Sequence, residues 1–250
     1  MIIKEDVFIS CYGLKRTLHI YVPDQSITIK SKYPVLYMFD GHNLFFNQDA
    51  TYHKSWCLKE YLDSKNIPII VVGIECNHEG NKRLEEFSPY DFYDEEVGQI
   101  HGRGKDLLTW IVEELKPYID KHYPTKKGRT NTAIAGSSMG GLMSLYASMQ
   151  YNHVFSKAAC LSCYFEEVFD QIYNENYALN PNTKIYLSWG SDEVESKQEL
   201  AIQSLQNIQI TNKLLQQRVD VFPNLIINGK HSESSWEKEI PIFMKFLFCK

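Results

Sequence analysis

No stretch of the sequence approaches the roughly 18 consecutive apolar residues that a membrane-crossing helix needs. No cluster of lysine and arginine exceeds three residues, and the net charge of −5 has the wrong sign for a polyanion-binding surface. A membrane or nucleic-acid partner is therefore not expected. The N-terminal stretch MIIKEDVFIS lacks the apolar core and small-residue cleavage site of a leader, and it carries charges at positions 4, 5 and 6. A cytoplasmic protein is expected. Internal repeats, low-complexity tracts and Pro/Gly/Ser linkers are missing too, so residues 1–250 read as one domain with no separate cap domain. The six cysteines, at 11, 57, 76, 160, 163 and 249, do not form a disulfide framework. Cys160 and Cys163 make a CxxC with neither a second pair nor a nearby histidine to complete a zinc set, so no metal is expected there.

What is present is an ordinary globular mix, with 44% hydrophobic and 23% charged residues. The length suffices for a full core. The aromatic share of 13% is high, which suits either dense packing or a pocket lined with rings. Residues 2–11 and 14–23 read as two extended segments around Gly13. Leu18, Ile20 and Val22 alternate with polar neighbours as in a half-buried strand. Short apolar runs follow at Val35–Phe39, Ile69–Ile74, Thr132–Ala135, Ala158–Leu161, Ile185–Trp189 and Leu225–Ile227. Such runs suit strands covered on both faces.

Helical patterns separate most of these runs. Residues 105–122 set Leu107, Leu108, Ile111, Val112, Leu115 and Ile119 at helical spacing, with Pro117 expected to kink or end the helix. Residues 140–150, 165–175, 196–216 and 236–247 are further helices. A leading hairpin followed by alternating strands and helices implies a mostly parallel sheet with helices on both faces. The segments 41–53 and 75–103 are long irregular connections of the kind that form lids or binding loops.

The stretch AIAGSSMGGLMS, residues 133–144, carries the chemistry. Gly136-Ser137-Ser138-Met139-Gly140 matches G-x-S-x-G between an apolar strand and a helix, with Ser138 at the centre. Glycines two residues to either side let strand and helix approach closely, and Ser137 is not flanked that way. A nearby helix N-terminus favours developing negative charge. A serine nucleophile needs a base, and the base needs an orienting acid. Downstream of Ser138 there are two histidines. His153 falls at the end of the elbow helix and reads as surface. His231, in LIINGKHSESSW, follows the last strand-like run and is the candidate base. The acid should follow the strand at Ile185–Trp189, where YLSWGSDEVESK offers Asp192, Glu193 and Glu195.

In family order over nearly the whole chain, the segments VLYMFDGHNLF, RLEEFSPYDF, ELKPYIDKHYPT, TAIAGSSMGGLMSLYAS, IYLSWGSDE and GKHSESSW resemble the putative-esterase (esterase D-like) family of α/β-hydrolases. That family includes carboxylesterases, feruloyl esterases and siderophore esterases. The resemblance implies an α/β-hydrolase fold and a serine carboxylic-ester hydrolase that works through an acyl-enzyme on a small-molecule ester, without cofactor. It puts the nucleophile on Ser138 and the base on His231. Counting three residues from Gly190 puts the acid on Glu193, with Asp192 as the alternative. The oxyanion N–H groups fall on Met139 and on His42 or Asn43. Arg83 and Trp236 are candidate substrate contacts. Acyl transfer to an alcohol acceptor, or ligand binding without catalysis, are the alternative functions.

The two long loops carry His42, Phe45, Phe46, Tyr52, Arg83, Phe87, Tyr90 and Arg103, with Trp56 just beyond, and are expected to wall the cleft. Either these rings are core and Arg83 pairs with Glu85 or Glu86, or together they select aromatic or anionic esters.

Overall fold

The computed structural model describes residues 1–24 and 31–249. It begins with an antiparallel hairpin, β1 (Ile2–Ile9) and β2 (Leu14–Tyr21). The turn between them uses Gly13 at φ 68°. Alternation along β2 points Leu18 and Ile20 inward, as the sequence pattern requires.

The parallel strands follow as β3 (Val35–Phe39), β4 (Ile70–Ile74), β7 (Thr132–Ser137), β8 (Lys157–Leu161), β9 (Lys184–Gly190) and β10 (Asp220–Ile226). The eight-stranded sheet runs β1-β2-β4-β3-β7-β8-β9-β10. The pairings β1–β2 and β2–β4 are antiparallel, and every pairing from β4 to β10 is parallel. Strands β5 (Phe92–Asp94) and β6 (Gly98–Ile100) form a separate two-stranded ribbon inside the connection 75–103.

Eight helices complete the described chain: α1 (Leu58–Ser64), α2 (Lys82–Glu86), α3 (Gly104–Trp110), α4 (Lys116–His122), α5 (Met139–Gln150), α6 (Phe169–Asn174), α7 (Lys197–Leu215) and α8 (Glu233–Phe248). They divide between the two faces of the sheet. Along β3, Val35, Tyr37 and Phe39 face one core while Leu36 and Met38 face the other. The first core is closed by α3–α7, through side chains such as Leu107, Leu142, Ile172 and Ile210. Leu58 and Leu62 of α1, with Ile240, Phe243 and Leu247 of α8, close the second. Two-sided burial explains why these strands read as continuous apolar runs.

Three expectations are corrected. Pro117 does not end its helix, which continues to His122. A π-helical stretch at Ile111–Leu115 joins α3 to α4 and puts Pro117 in the first turn of α4, where a missing N–H is tolerated. The last strand begins at Asp220, not Leu225. It is the sheet's edge strand and half-exposed, so it lacks a continuous apolar run and accommodates Pro223. Finally, 165–175 is a 3₁₀ turn at Glu166–Val168 followed by the short α6 rather than one helix.

Candidate active site

Ser138 occupies the sharp turn between β7 and α5 at φ 56°, ψ −124°. A non-glycine residue there carries about 1–3 kcal/mol of backbone strain. Three hydrogen bonds hold the turn. The Ser138 N–H donates to Leu161 O at 3.0 Å, and the Ser138 carbonyl accepts from Leu142 N–H at 3.0 Å and Tyr164 N–H at 3.2 Å. The flanking glycines are required by contact. A Cβ on Gly136 would lie 2.6 Å from the Gly140 carbonyl carbon, and one on Gly140 would lie 2.9 Å from Phe39 Cβ. Ser137 is still inside β7 and does not share this backbone.

The acid loop after β9 and the loop after β10 are stitched together. The Asp192 N–H donates to Gly229 O at 2.9 Å, and the Ser191 N–H donates to Ile226 O at 3.0 Å. This arrangement sets His231 Nδ1 at 3.6 Å from Glu193 Oε2. The Glu193 side chain is 3% exposed. Its Oε1 accepts from Ser162 Oγ at 2.5 Å and from the Gly190 N–H at 2.8 Å, and its Oε2 accepts from Gln203 Nε2 at 2.9 Å. Burial pushes the carboxyl up, but His231 and these donors outweigh burial and hold it below the usual carboxylate range. Asp192 and Glu195 are exposed, and the Asp192 carboxylate meets only Ser191. Of the three acids in this loop, only Glu193 faces His231.

Ser162 was not singled out in the sequence. It directly follows β8 at φ 45°, accepts from Trp236 Nε1 at 2.8 Å and donates to Glu193. Trp236 is buried and stands edge-on to His231, with ring centroids 5.1 Å apart. Its N–H is thus engaged in holding the acid rather than free for a ligand. His153 is exposed beyond α5.

The carboxyl end of β3 turns at Asp40, φ 55°, into a 3₁₀ turn, Gly41–Asn43. A Cβ on Gly41 would meet the Gly73 carbonyl carbon at 2.4 Å, so this turn lies directly on β4. The Asn43 N–H donates to Asp40 O at 2.9 Å and is not free for an incoming oxyanion. Among the described residues, the N–H groups of His42 and Met139 have no partner. Burial lowers the His42 imidazole to about 4, against the opposing pull of Asp40, so the ring is neutral near pH 7.

Arg83 pairs with neither Glu85 nor Glu86. Its Nε and Nη2 donate to the two oxygens of Asp40 at 2.8 and 2.7 Å. Glu86 instead takes Arg16, and Glu85 takes Lys82. Burial opposes ionisation of Asp40, but the guanidinium overrides it and keeps the carboxyl below its ordinary range.

These groups border a cavity of about 320 Å³ that includes His42, Tyr52, Arg83, Ser138, His231 and Trp236 in its lining. The rest of its wall is mainly polar, with Asn43, Thr51, Asn77 and Glu233 among the contributors. Phe45, Trp56, Phe87 and Tyr90 are core, with Phe46 packed against it, and Arg103 bonds Cys11 O. Of the long loops, 41–53 and the first part of 75–103 wall this cavity, while residues 84–103 do not. A second cleft, about 460 Å³, also has His231 in its lining, together with Tyr164, Phe165, Ile202 and the acids Glu166, Glu167 and Glu199. No helix among the described residues is long and apolar enough to cross a membrane. Cys160 and Cys163 of the CxxC are buried, and no disulfide joins them.

Residues 10–246 match the model of the family described as "Putative esterase". The chain belongs to this esterase family. It is a carboxylic ester hydrolase with an α/β-hydrolase fold. It is 24% identical over 209 residues to the Bacillus subtilis protein YbbA, covering 81% of this chain and 79% of that one. It is 28% identical over 151 residues to esterase MT1326 of Mycobacterium tuberculosis, covering 60% of this chain and 30% of that protein. Among solved structures, the BES protein of Bacillus cereus superposes with a TM-score of 0.70 at 21% identity, covering 98% and 94% of the two chains. The enterobactin esterase FES of Shigella flexneri superposes with a TM-score of 0.70 at 15% identity, covering 98% of this esterase and 58% of that chain.

Proposed function

We propose that this esterase cleaves its substrate through an acyl-enzyme on Ser138, with His231 as general base and Glu193 as the orienting acid. The observation that carries the reading is the buried Glu193 carboxylate facing His231 Nδ1 beside the strained Ser138 elbow. With Nδ1 directed at the acid, Nε2 is left to accept the Ser138 proton as the hydroxyl attacks the ester carbonyl. The Glu193 anion fixes that tautomer and stabilises the imidazolium. The free N–H groups of His42 and Met139 receive the oxyanion. His231 then returns its proton to the leaving alcohol and activates a water for deacylation. Its side chain is 42% exposed, so water reaches it, which favours hydrolysis over transfer to an alcohol.

The substrate straddles His231, with a small polar portion in the 320 Å³ cavity and a bulkier, partly aromatic portion in the 460 Å³ cleft. The acids in that cleft and the engagement of Arg83 with Asp40 disfavour an anionic ester, so the fit is to an uncharged aromatic or short-chain ester. The test is Ser138→Ala beside Ser137→Ala. The first should abolish fluorophosphonate labelling and lower kcat by about 10⁴–10⁶-fold. The second should retain both. Hydrolysis by Ser138→Ala at near the wild-type rate would overturn the assignment.

A further inference from the structure

Beside the reacting groups lies a cluster that the proposed chemistry does not use. His42, Cys76 and His78 each offer one donor atom, and the three atoms lie within 4.8 Å of one another. Cys76 Sγ is 3.9 Å from His78 Nδ1. The two imidazoles stand edge to face with centroids 4.6 Å apart. The sequence conceals this set, because Cys76 and His78 form a plain C-x-H and His42 comes from the other long loop. We propose that these three side chains form a binding site for a thiophilic divalent cation such as Zn²⁺, and that its occupancy inhibits the esterase.

Four features argue for it. Two imidazoles and a thiolate are a nitrogen–sulfur donor set that suits zinc, with a fourth position left for water. In a tetrahedral zinc site the donors stand about 3.3–3.8 Å apart, so the cluster must tighten by about 1 Å. His78, with a side chain 56% exposed, is free to make that movement. His42 is 4% exposed, and its Nε2 is engaged with Thr51 at 3.0 Å, while its buried Nδ1 has no partner. An unpartnered buried ring nitrogen is costly unless something coordinates it. Outside the donor set, Glu75 Oε2 lies 3.9 Å from His78 Nε2, so a carboxylate backs the ligating ring as in many zinc sites. Asp40 and Arg83 also stand beside the Cys76 thiol, but they neutralise each other, so the guanidinium does not repel a cation there. On binding, the thiol proton leaves to solvent, and the metal charge is offset by the thiolate and by Glu75.

Inhibition follows from position and rests on the proposed catalytic reading. His42 belongs to the turn whose N–H is assigned to the oxyanion, and all three donor residues line the cavity shared with Ser138 and His231. A cation there fixes that turn and fills the cavity wall.

The test uses the full chain, stripped with a chelator. Zn²⁺ is titrated in competition with a chromophoric chelator, and Co²⁺ is used to read thiolate-to-metal charge transfer. One ion per chain with a thiolate band is expected, and both should be lost in Cys76→Ser. His78→Ala, at an exposed position that does not threaten folding, should weaken binding at least about tenfold. The ratio of activity with and without Zn²⁺ should approach one in both variants and return to one in wild type on adding EDTA. Using that ratio removes any change in basal activity. Binding or inhibition that persists unchanged in both variants would put the ion elsewhere, at His231 and Glu193 for instance, and overturn the proposal. Absence of a thiolate band in wild type would overturn it too. The metal-binding measurements need no substrate, so they stand or fall separately from the catalytic assignment.

Discussion

Ser162→Ala removes a single oxygen, and the structure predicts that stability and catalysis both respond. The hydroxyl accepts from Trp236 Nε1 at 2.8 Å and donates to Glu193 Oε1 at 2.5 Å. Alanine is the informative replacement. Ser162 sits at φ 45°, and alanine keeps the Cβ, so backbone strain is common to both proteins and cancels. Glycine would relieve that strain and blur the comparison. In the variant the indole N–H, on a residue 6% exposed, loses its acceptor. An orphaned donor of this kind costs about 1–3 kcal/mol, and the lost hydrogen bond to a carboxylate is worth about 1.5–3 kcal/mol. Gly190 and Gln203 still hold Glu193, so the two do not add fully. The net loss should be about 2–4 kcal/mol, or roughly 10 °C in Tm for a chain of this size.

Catalysis should change with a definite sign. In the wild type Glu193 is held below the usual carboxylate range, so its contribution is present above the unfolded value and is lost as pH falls through the folded one. Taking away one donor moves its titration upward. The acid limb of kcat/KM should move to higher pH, with kcat at neutral pH less affected. Thermal melts and kcat/KM profiles from about pH 4 to 8 read both effects. If the variant melts with the wild type and its acid limb stays in place, the hydroxyl positions nothing and the reasoning is wrong.

The other predictions use the same geometry. Glu193→Gln should lower kcat by about 10³–10⁴-fold, while Asp192→Asn leaves it nearly unchanged, and reversed effects in steady-state assays would move the acid to Asp192. Arg83→Ala strands the buried Asp40 carboxylate and should cost about 3 kcal/mol in denaturant melts. Its loss of kcat/KM should be equal for neutral and anionic esters, whereas a loss confined to anionic esters would make Arg83 a substrate contact instead. Glu239, buried on α8 and bonded to Tyr186 at 2.6 Å, has its carboxyl raised by burial to about 7. The folded protein therefore favours the protonated form. Stability from this group is full below its unfolded value and is lost as pH rises through about 7, a change of about 3 kcal/mol. Glu239→Gln should flatten that slope and raise the Tm above neutral pH, and a wild type that is equally stable at pH 5 and 8 would contradict it.

The elbow was legible because its requirements are local: glycine spacing, an apolar strand before and a helix after. His231 was legible by position, as the histidine beyond the last strand. The central strands were legible because burial on both faces leaves an unbroken apolar run. Other features depended on partners far away in sequence. Arg83 finds Asp40 across 43 residues, so nearby Glu85 and Glu86 were plausible and wrong. Ser162 carries no local signal, since its use depends on Trp236 arriving from α8, 74 residues later. The N–H groups of Asn43 and His42, the two candidates for the oxyanion, differ only once the 3₁₀ turn engages the first and leaves the second without a partner. The aromatic residues of the loops were counted as possible pocket walls, but nothing in their spacing separated those that turn inward to the core from Tyr52, which does not.

The side chains assigned to chemistry all stand at the carboxyl edge of the parallel strands: the turn after β3, the elbow after β7, the acid loop after β9 and the histidine loop after β10. The layers that hold the molecule together lie beneath that edge. The segments 41–53 and 75–83 that wall the cavity are connections, and the two cores draw on them at Leu44, Phe45 and Cys76, with Phe46 packed alongside. Tolerance of change is therefore unevenly distributed. Outside the Gly41–Asn43 turn and the core residues Leu44 and Phe45, those two segments can be lengthened, shortened or exchanged to alter the ester accepted, provided Gly41 keeps its seat on β4 and Arg83 its hold on Asp40. For a protein engineer, that separates the part of the chain open to diversification from the part to be left alone.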